Sequence, residues 1–488
     1  MIDDQTKRVA LIVLDGWGYR KELRHNAIAA AYTPHWDKLI NQNDLSLLSA
    51  SGQAVGLPKG QMGNSEVGHM HIGSGQIIEQ DLVRINHACD SNEMAQKLNM
   101  KLKQINPKKI HLVGLYSDGG VHAHLSHWNK ILDVLSDREV LLHPVLDGRD
   151  TSPQIALNDI KQLEKKLKNN HKHKLASLSG RFYAMDRDQR WDRTNQYLDV
   201  LTAKNDIIEV KPSDYIKLNY KNGTTDEFIK PARFNSYLFD KDDLVITLNF
   251  RPDRMVQLVD KLKTDINILC MTDYGIDLPV LFEKKVINSC LGSIFEQENL
   301  TQIRIAETEK FPHVTYFLNG GRKTKFKNEE RALISSPKVT TYDQMPEMSA
   351  FEVCDKIVDA MSQGINGIFA NFANADMVGH TGDFGATVKA IEAIDVCLGK
   401  IIETSQIHHY KVIITADHGN AEWMKRPENG EVVTSHTCSS VPFITNTKFK
   451  LKARGRLCDI APTILEMLSI TKPVEWDGNS LLHNASQT

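Results

Sequence analysis

The chain alternates short, continuously apolar runs with longer segments in which apolar residues recur every three to four positions. Residues 9–14 (VALIVL) are apolar without a break, as expected of a strand buried on both faces, and Asp15-Gly16 ends them. A helix is expected over 34–41. Further strands are expected over 109–115, 140–146 and 244–249, with helical patterns between them such as 155–167. Strands return at 301–306, 367–372 and 410–415, with helices over 349–362 and 385–404. Strands alternating with helices predict an α/β fold of mostly parallel sheets flanked by helices. Residues 51–75 stand apart: they are rich in Gly and polar residues and show little periodicity. A stretch of that length is expected to be functional.

With 488 residues, two or three domains are expected at roughly 100–200 residues each. A second unit begins near 76–80, and the style of the first returns after about residue 286. Polar, chemically capable residues follow the strands throughout, as in Ser117-Asp118-Gly119-Gly120, Asp147-Gly148-Arg149-Asp150 and Phe250-Arg251-Pro252-Asp253-Arg254. In open α/β sheets ligands bind beyond the carboxyl ends of the strands, so these loops point at one or two shared sites. The charge-dense segment 161–174 reads as a solvated helix face and its trailing loop.

The formal net charge of −2 predicts no general attraction to nucleic acid or membrane. Seven scattered cysteines without a C-x-x-C pair argue against a disulfide framework or zinc knuckle. The first apolar run is too short for a signal core or a membrane span. These features predict a soluble, unexported chain in the cytoplasm.

The candidate chemistry begins with metal donors. Asp376 and His380 are four apart, Asp417 and His418 are adjacent after a strand, His436 lies further on, and Asp15 ends the first strand. Each alone is more often a turn, a cap or a core residue. Together they give three carboxylates and three imidazoles, which suit Mn²⁺ or Zn²⁺ better than Ca²⁺. Two divalent ions would leave such a site short of positive charge once it also held a phosphate. Lys310 is the candidate cation. Ser65 sits between Gly63 and Gly68, where backbone can approach closely. Taken alone it reads as a capping or loop serine, because a plain hydroxyl needs a base or a metal to become nucleophilic.

The segments LIVLDGWG (11–18), QMGNSEVGH (61–69), SDGGVHAH (117–124), DGRDT (147–151), GRFYAMDRDQRWDR (180–193), NFRPDR (249–254), AETEKFPHVT (306–315), PEMSA (346–350), NFANADMVGHTG (371–382) and TADHGNAE (415–422) resemble the cofactor-independent phosphoglycerate mutases. They run in that family's order across nearly the whole chain. The resemblance implies an alkaline-phosphatase-like domain over 1–77 and 285–488, with a transferase-like domain inserted at 78–284. It implies that Asp376, His380 and His436 bind one metal ion and that Asp15, Ser65, Asp417 and His418 bind another, most simply Mn²⁺, with Zn²⁺ or Co²⁺ as alternatives. It implies further that Ser65 is phosphorylated and that Lys310 offsets charge on the transferring group. After His436 the family usually shows a Thr/Ser-Asn-Pro-like stretch. Here Thr437-Cys438-Ser439-Ser440 stands instead, and Cys438 brings a thiol near the metal donors.

The implied substrate, 3-phosphoglycerate or 2-phosphoglycerate, carries a carboxylate and a phosphate. Arg149, Arg181, Arg187, Arg251 and Arg254 lie in matching motifs, and a guanidinium fork binds either group bidentately. On the residues alone, Arg187, Arg190 and Arg193 read first as local partners of Asp186, Asp188 and Asp192 on a solvated surface. The resemblance implies Asp150 as the acid/base, held near Arg149, and His122 as a contact to the phosphoryl group. The implied activity is the glycolytic and gluconeogenic interconversion of the two phosphoglycerates by a monomer, without 2,3-bisphosphoglycerate. The rival readings are another metal-dependent phosphomutase or phosphatase of the superfamily, which would lack the 117–124, 147–151 and arginine motifs, and a non-catalytic anion-binding relative.

Overall fold

The computed structural model describes residues 7–426 and 429–483. The chain divides into two compact units, one formed by the residues up to Glu79 together with those from Val286 onward, the other by Gln80–Lys285.

The first unit is built on an eight-stranded sheet. Its order is Glu329–Ile334, Gln302–Glu307, Gly367–Phe372, Val9–Leu14, Lys411–Thr415, Val441–Thr445, Leu45–Ser49 and Arg454–Arg456. The five strands from Glu329–Ile334 to Lys411–Thr415 are parallel neighbours, and Val441–Thr445 runs against both of its neighbours. Val9–Leu14 and Gly367–Phe372 are buried at every position, which explains why the first reads as an unbroken apolar run and the second as one interrupted by Asn371 alone among its larger side chains. Phe384–Ile407 packs on this sheet through Ile391, Ile394, Leu398 and Ile401, a stripe at helical spacing. Each such side chain contributes about 1.5–3 kcal/mol by leaving water. Asp383 starts the helix by accepting from Ala386 N.

Register places the chemistry. Leu14 pairs with Phe372, and Val13 pairs with Thr415. The residues that follow these three central strands therefore emerge side by side: Asp15, the Asn374–Gly379 helix carrying Asp376, and Asp417 with His418. The segment 51–75 is more regular than its composition suggests. It contains a 3₁₀ turn at Gly52–Val55 and a helix at Ser65–Ser74, whose Asn64 cap accepts from Val67 N. That helix buries Gly68, His69, His71, Ile72 and Gly73, so its inward face is small and polar and leaves no apolar period to detect.

The second unit has a sheet in the order Val280–Phe282, Asn267–Thr272, Leu244–Thr247, Ile110–Leu115, Val140–Leu146, Ser177–Gly180 and Ala232–Arg233, with His173–Leu175 also beside Val140–Leu146. All pairs are parallel except the last, between Ser177–Gly180 and Ala232–Arg233. Leu112, Leu142 and Ile246 face one core, and Val113, Val145 and Val245 the other. A polar chain crosses the strands. Asp243 Oδ2 lies 3.4 Å from His111 Nε2, His111 Nδ1 lies 3.0 Å from His143 Nε2, and His143 Nδ1 lies 2.7 Å from Ser177 Oγ.

Candidate active site

In the first unit, Ser65 is the first residue of its helix, so its hydroxyl stands at the helix N-terminus, where the peptide dipoles favour negative charge. Close approach there depends on glycine. A Cβ on Gly68 would stand 2.7 Å from Asp417 Cβ, and one on Gly16, whose φ is +74°, would stand 2.8 Å from Asp376 Cα. Ser65 Oγ donates to Asp15 Oδ1 at 3.1 Å and lies 3.0 Å from His418 Nε2. Lys310 follows the Gln302–Glu307 strand by one turn. Its ammonium donates to Asp15 Oδ1 (2.7 Å), Asp376 Oδ2 (2.6 Å) and Ser65 Oγ (2.7 Å). Burial opposes the Lys310 charge, but Asp15, Asp376 and Asp417 outweigh it and hold the ammonium firmly protonated. Burial is the largest influence on the Asp15 and Asp376 carboxylates and works against both; Lys310 together with His418 at Asp15, and with His380, His436 and His418 at Asp376, outweighs it, so both stay well below the usual carboxylate range.

The imidazoles share one arrangement. His380 Nδ1 is 2.6 Å from Thr434 O, His436 Nδ1 is 2.9 Å from Gly63 O, and His418 Nδ1 is 3.3 Å from Gly419 O. A carbonyl can only accept, so each ring carries a proton on Nδ1 and, when neutral, turns its Nε2 lone pair inward. His380 Nε2 and His436 Nε2 lie 3.1 and 3.3 Å from Asp376 Oδ1, and 3.1 Å from each other. His418 Nε2 faces Ser65 Oγ and Asp15 Oδ1. Asp417 Oδ1 accepts from Gly16 N and His418 N, while its Oδ2 is buried with no hydrogen-bond partner among the described residues. Lone pairs converging on carboxylates, each ring anchored through its other nitrogen, fit divalent cations well.

The acidic and imidazole donors of this region cluster as Asp376, His418 and His436, and as Asp15, His69 and Asp417. Sequence reading did not single out His69, Asn371, Asn420 or Glu422. Asn420 Nδ2 holds Asp376 Oδ1 at 2.9 Å, and Glu422 accepts from Asn420 N at 2.8 Å and from the Thr437 hydroxyl. All four lie inside the motifs quoted above, but polar residues that act through another side chain leave no spacing signal of their own. Cys438 is exposed, and its thiol donates to Gly60 O at 3.4 Å.

In the second unit the loops after the strands carry a cationic cluster. Asp147 organises it. Its Oδ1 accepts from Arg149 N, Asp150 N and Arg181 Nη1, and its Oδ2 from Ser117 Oγ at 2.6 Å. Arg181 Nη1 also donates to Asp150 Oδ2. Burial disfavours the Arg181 charge, and the two aspartates more than restore it. The neighbour of Asp150 is thus Arg181, whereas the Arg149 side chain turns to Glu227 at 3.3 Å. His122 lies between two carboxylates, with Nε2 3.7 Å from Asp150 and Nδ1 3.8 Å from Asp253. Burial and then Arg181 hold its pKa down at about 4, against both aspartates. Asp253 also pairs with Arg187 (3.2 Å) and Arg251 (3.0 Å), and Arg254 donates to Met185 O at 3.1 Å. Burial, Arg181 and Arg187 press on the Arg254 charge, the mark of cations crowded without enough anions. Arg187 therefore reaches past its local aspartates, whereas Arg193 does pair with Asp186, at 3.7 Å.

Comparison with known proteins agrees with this chemistry. Residues 7–472 match the family described as Metalloenzyme superfamily. A 2,3-bisphosphoglycerate-independent phosphoglycerate mutase of Campylobacter jejuni subsp. jejuni serotype O:2 is 46% identical, over 96% of this chain and 99% of that protein. The enzyme of that name numbered 1 from Methanosarcina barkeri is 43% identical, over 98% of each. Among solved structures, Leishmania mexicana phosphoglycerate mutase at low cobalt concentration is 26% identical with a TM-score of 0.58, covering 98% of this chain and 97% of that one. The chain belongs to the metalloenzyme superfamily and, within it, to the 2,3-bisphosphoglycerate-independent phosphoglycerate mutases.

Proposed function

We propose that this mutase interconverts 3-phosphoglycerate and 2-phosphoglycerate through a phosphorylated Ser65 in a two-metal site. Asp376, His380 and His436 would hold one ion, and Asp15, Ser65, Asp417 and His418 the other. Divalent cations there lower the proton affinity of the serine oxygen and offset phosphoryl charge. The donor set suits Mn²⁺, with Zn²⁺ and Co²⁺ as alternatives set by availability. The observation that carries this reading is the shared pattern of His380, His418 and His436, each with Nδ1 on a backbone carbonyl and Nε2 turned toward carboxylate or Ser65.

The chain's own residues account for the rest. Arg149, Arg181, Arg187, Arg251 and Arg254 hold the carboxylate and phosphate of the substrate. With the cations bound, Ser65 would be held as the alkoxide, its proton released to solvent; Ser65 Oγ attacks phosphorus and the bond from phosphorus to the glycerate oxygen breaks. Lys310 stabilises negative charge on the transferring group, and Asp150 gives a proton to the departing alkoxide. Glycerate then reorients, Asp150 takes the proton of the other hydroxyl, and that oxygen accepts the phosphoryl group from Ser65. His122 contacts the phosphoryl group. The alkaline-phosphatase-like role belongs to the first unit and the transferase-like role to the second. The family resemblance implies a monomer. The seven cysteines are free, as reduced thiols in a cytoplasm would be; among the described residues no helix is long and apolar enough to cross a membrane.

The test is conversion of 3-phosphoglycerate without 2,3-bisphosphoglycerate, with Mn²⁺ and after chelation, alongside acid-quench trapping of phosphoserine. Metal-dependent conversion with label on Ser65 is expected. Release of inorganic phosphate in place of 2-phosphoglycerate would move the chain to the phosphatases.

A further inference from the structure

His69 is fully buried beside the metal donors, and its Nδ1 lies 3.2 Å from Asp417 Oδ2. By proximity alone it is as good a ligand as the others. Its hydrogen bonds say otherwise. His69 Nδ1 is 2.8 Å from Ser65 O, a carbonyl one helical turn back, so that nitrogen carries a proton. His69 Nε2 is 3.0 Å from Asn371 Nδ2, and the same amide nitrogen lies 2.8 Å from Asp15 Oδ2. A carboxylate accepts only, which fixes the Asn371 nitrogen as donor. With one N–H on Asp15, its second points at His69 Nε2, which must accept. Both ring nitrogens are then engaged, and neither lone pair is left for a metal. In His380, His418 and His436 the corresponding Nε2 faces carboxylate or hydroxyl oxygen instead.

We propose that His69 and Asn371 are positioning residues behind the metal site, a relay running from Asp15 through the Asn371 amide and the His69 ring to the Ser65 backbone. The inference rests on the two-ion reading above. Asn371 stands opposite Val13 in the central strand pair, so its amide is fixed by the sheet. It pins the Asp15 oxygen that Ser65 and Lys310 leave free, because those two both bind Oδ1. His69 in turn ties the first turn of the Ser65 helix to the Asn371 amide. The relay joins two strand ends and one helix at the atoms that hold Ser65.

Two measurements on the full chain test it. In ¹⁵N-histidine protein, assigned with His69→Gln, long-range ¹H–¹⁵N spectra give each ring's tautomer before and after Zn²⁺. His69 is expected to be neutral with its proton on Nδ1 and to keep that pattern, while His380, His418 and His436 shift at Nε2. A large Zn²⁺ shift at either His69 nitrogen, or a proton on its Nε2, would overturn the relay. Separately, equilibrium dialysis of metal-free protein against Mn²⁺ should show two sites in the wild type. In Asn371→Leu one site should weaken about 10–100-fold with the saturating stoichiometry kept at two. Unchanged affinity would sink the inference while leaving the two-ion site standing. Absence of Mn²⁺ binding by the wild type would remove the two-ion reading itself, and the relay with it.

Discussion

Lys310 Nζ lies 2.7 Å from Ser65 Oγ, and the same ammonium bonds the carboxylates that follow two adjacent strands, Asp15 and Asp376. The proposed nucleophile is therefore held by a cation already tied to the sheet, and a phosphoryl group arriving at Ser65 would meet a positive charge that needs no rearrangement to act. Preorganised charge of this kind usually supplies the largest share of electrostatic catalysis.

Ser65→Ala removes one buried oxygen and leaves the capping Asn64, the carboxylates and the imidazoles in place. Mutase turnover should fall by about 10⁴-fold or more, with the fold retained and no acid-stable label from radioactive 3-phosphoglycerate. Near-normal turnover in a steady-state assay would rule out the covalent step.

Lys310→Met leaves buried carboxylates facing one another without their cation. In metal-free protein, removing one partner of such a cluster costs about 3–5 kcal/mol, so the melting temperature should drop sharply. Saturating Mn²⁺ should recover much of that loss, because it supplies the missing charge, yet kcat should remain about 10²–10³-fold low. A scanning calorimetry trace unchanged in metal-free protein would show that Lys310 carries no such load.

These residues also show what is legible in a sequence. The strand 9–14, the helix 34–41 and the carboxylates after the strands are visible because burial on both faces and strand-end placement leave one-dimensional marks. The helix at Ser65–Ser74 leaves none, since its inward side is glycine, serine and histidine. Asn371, His69, Asp147 and Asp253 are harder still. Each bonds another polar side chain or backbone group across contacts between residues as far as 356 positions apart, as from Asp15 to Asn371. Likewise, adjacency suggests Arg149 as the neighbour of Asp150, but the turn capped by Asp147 sends that side chain to Glu227 and leaves Arg181 in its place.

The polar chain in the second unit predicts acid sensitivity. Burial holds His143 well below its ordinary 6.5, with His111 adding to the effect, and burial also lowers His111 against the pull of Asp243. Lys109 and Glu139 act on His111 in opposite directions, and Tyr237 packs against both rings. A depressed folded pKa means stability that is present above the unfolded value and lost as pH falls below it. Each histidine should add a slope of up to about 1.4 kcal/mol per pH unit to that loss. Urea unfolding across that window should show a shallower pH dependence in His143→Gln than in the wild type, whatever its absolute stability. Equal slopes would mean that His143 does not take up a proton on unfolding.

His122 offers a prediction with two opposite signs. Its pKa is held at about 4 by burial and then by Arg181, while Asp150 and Asp253 pull upward. Arg181→Met should therefore raise the His122 pKa, and Asp253→Asn should lower it further. Both are readable in ¹H–¹⁵N spectra of histidine-labelled full-length protein. Arg181→Met should also raise KM for 3-phosphoglycerate, since it removes a buried guanidinium from the proposed anion site, and should lower kcat by freeing Asp150 from its partner. Asp253→Asn loosens Arg187 and Arg251 but leaves Asp150 and Arg181 paired, so its cost should fall mainly on KM. Shifts of the same sign in the two variants would mean that the field at His122 is set by something other than these charges. The assignment of Arg181 as the residue that holds both Asp150 and substrate would then fall with it.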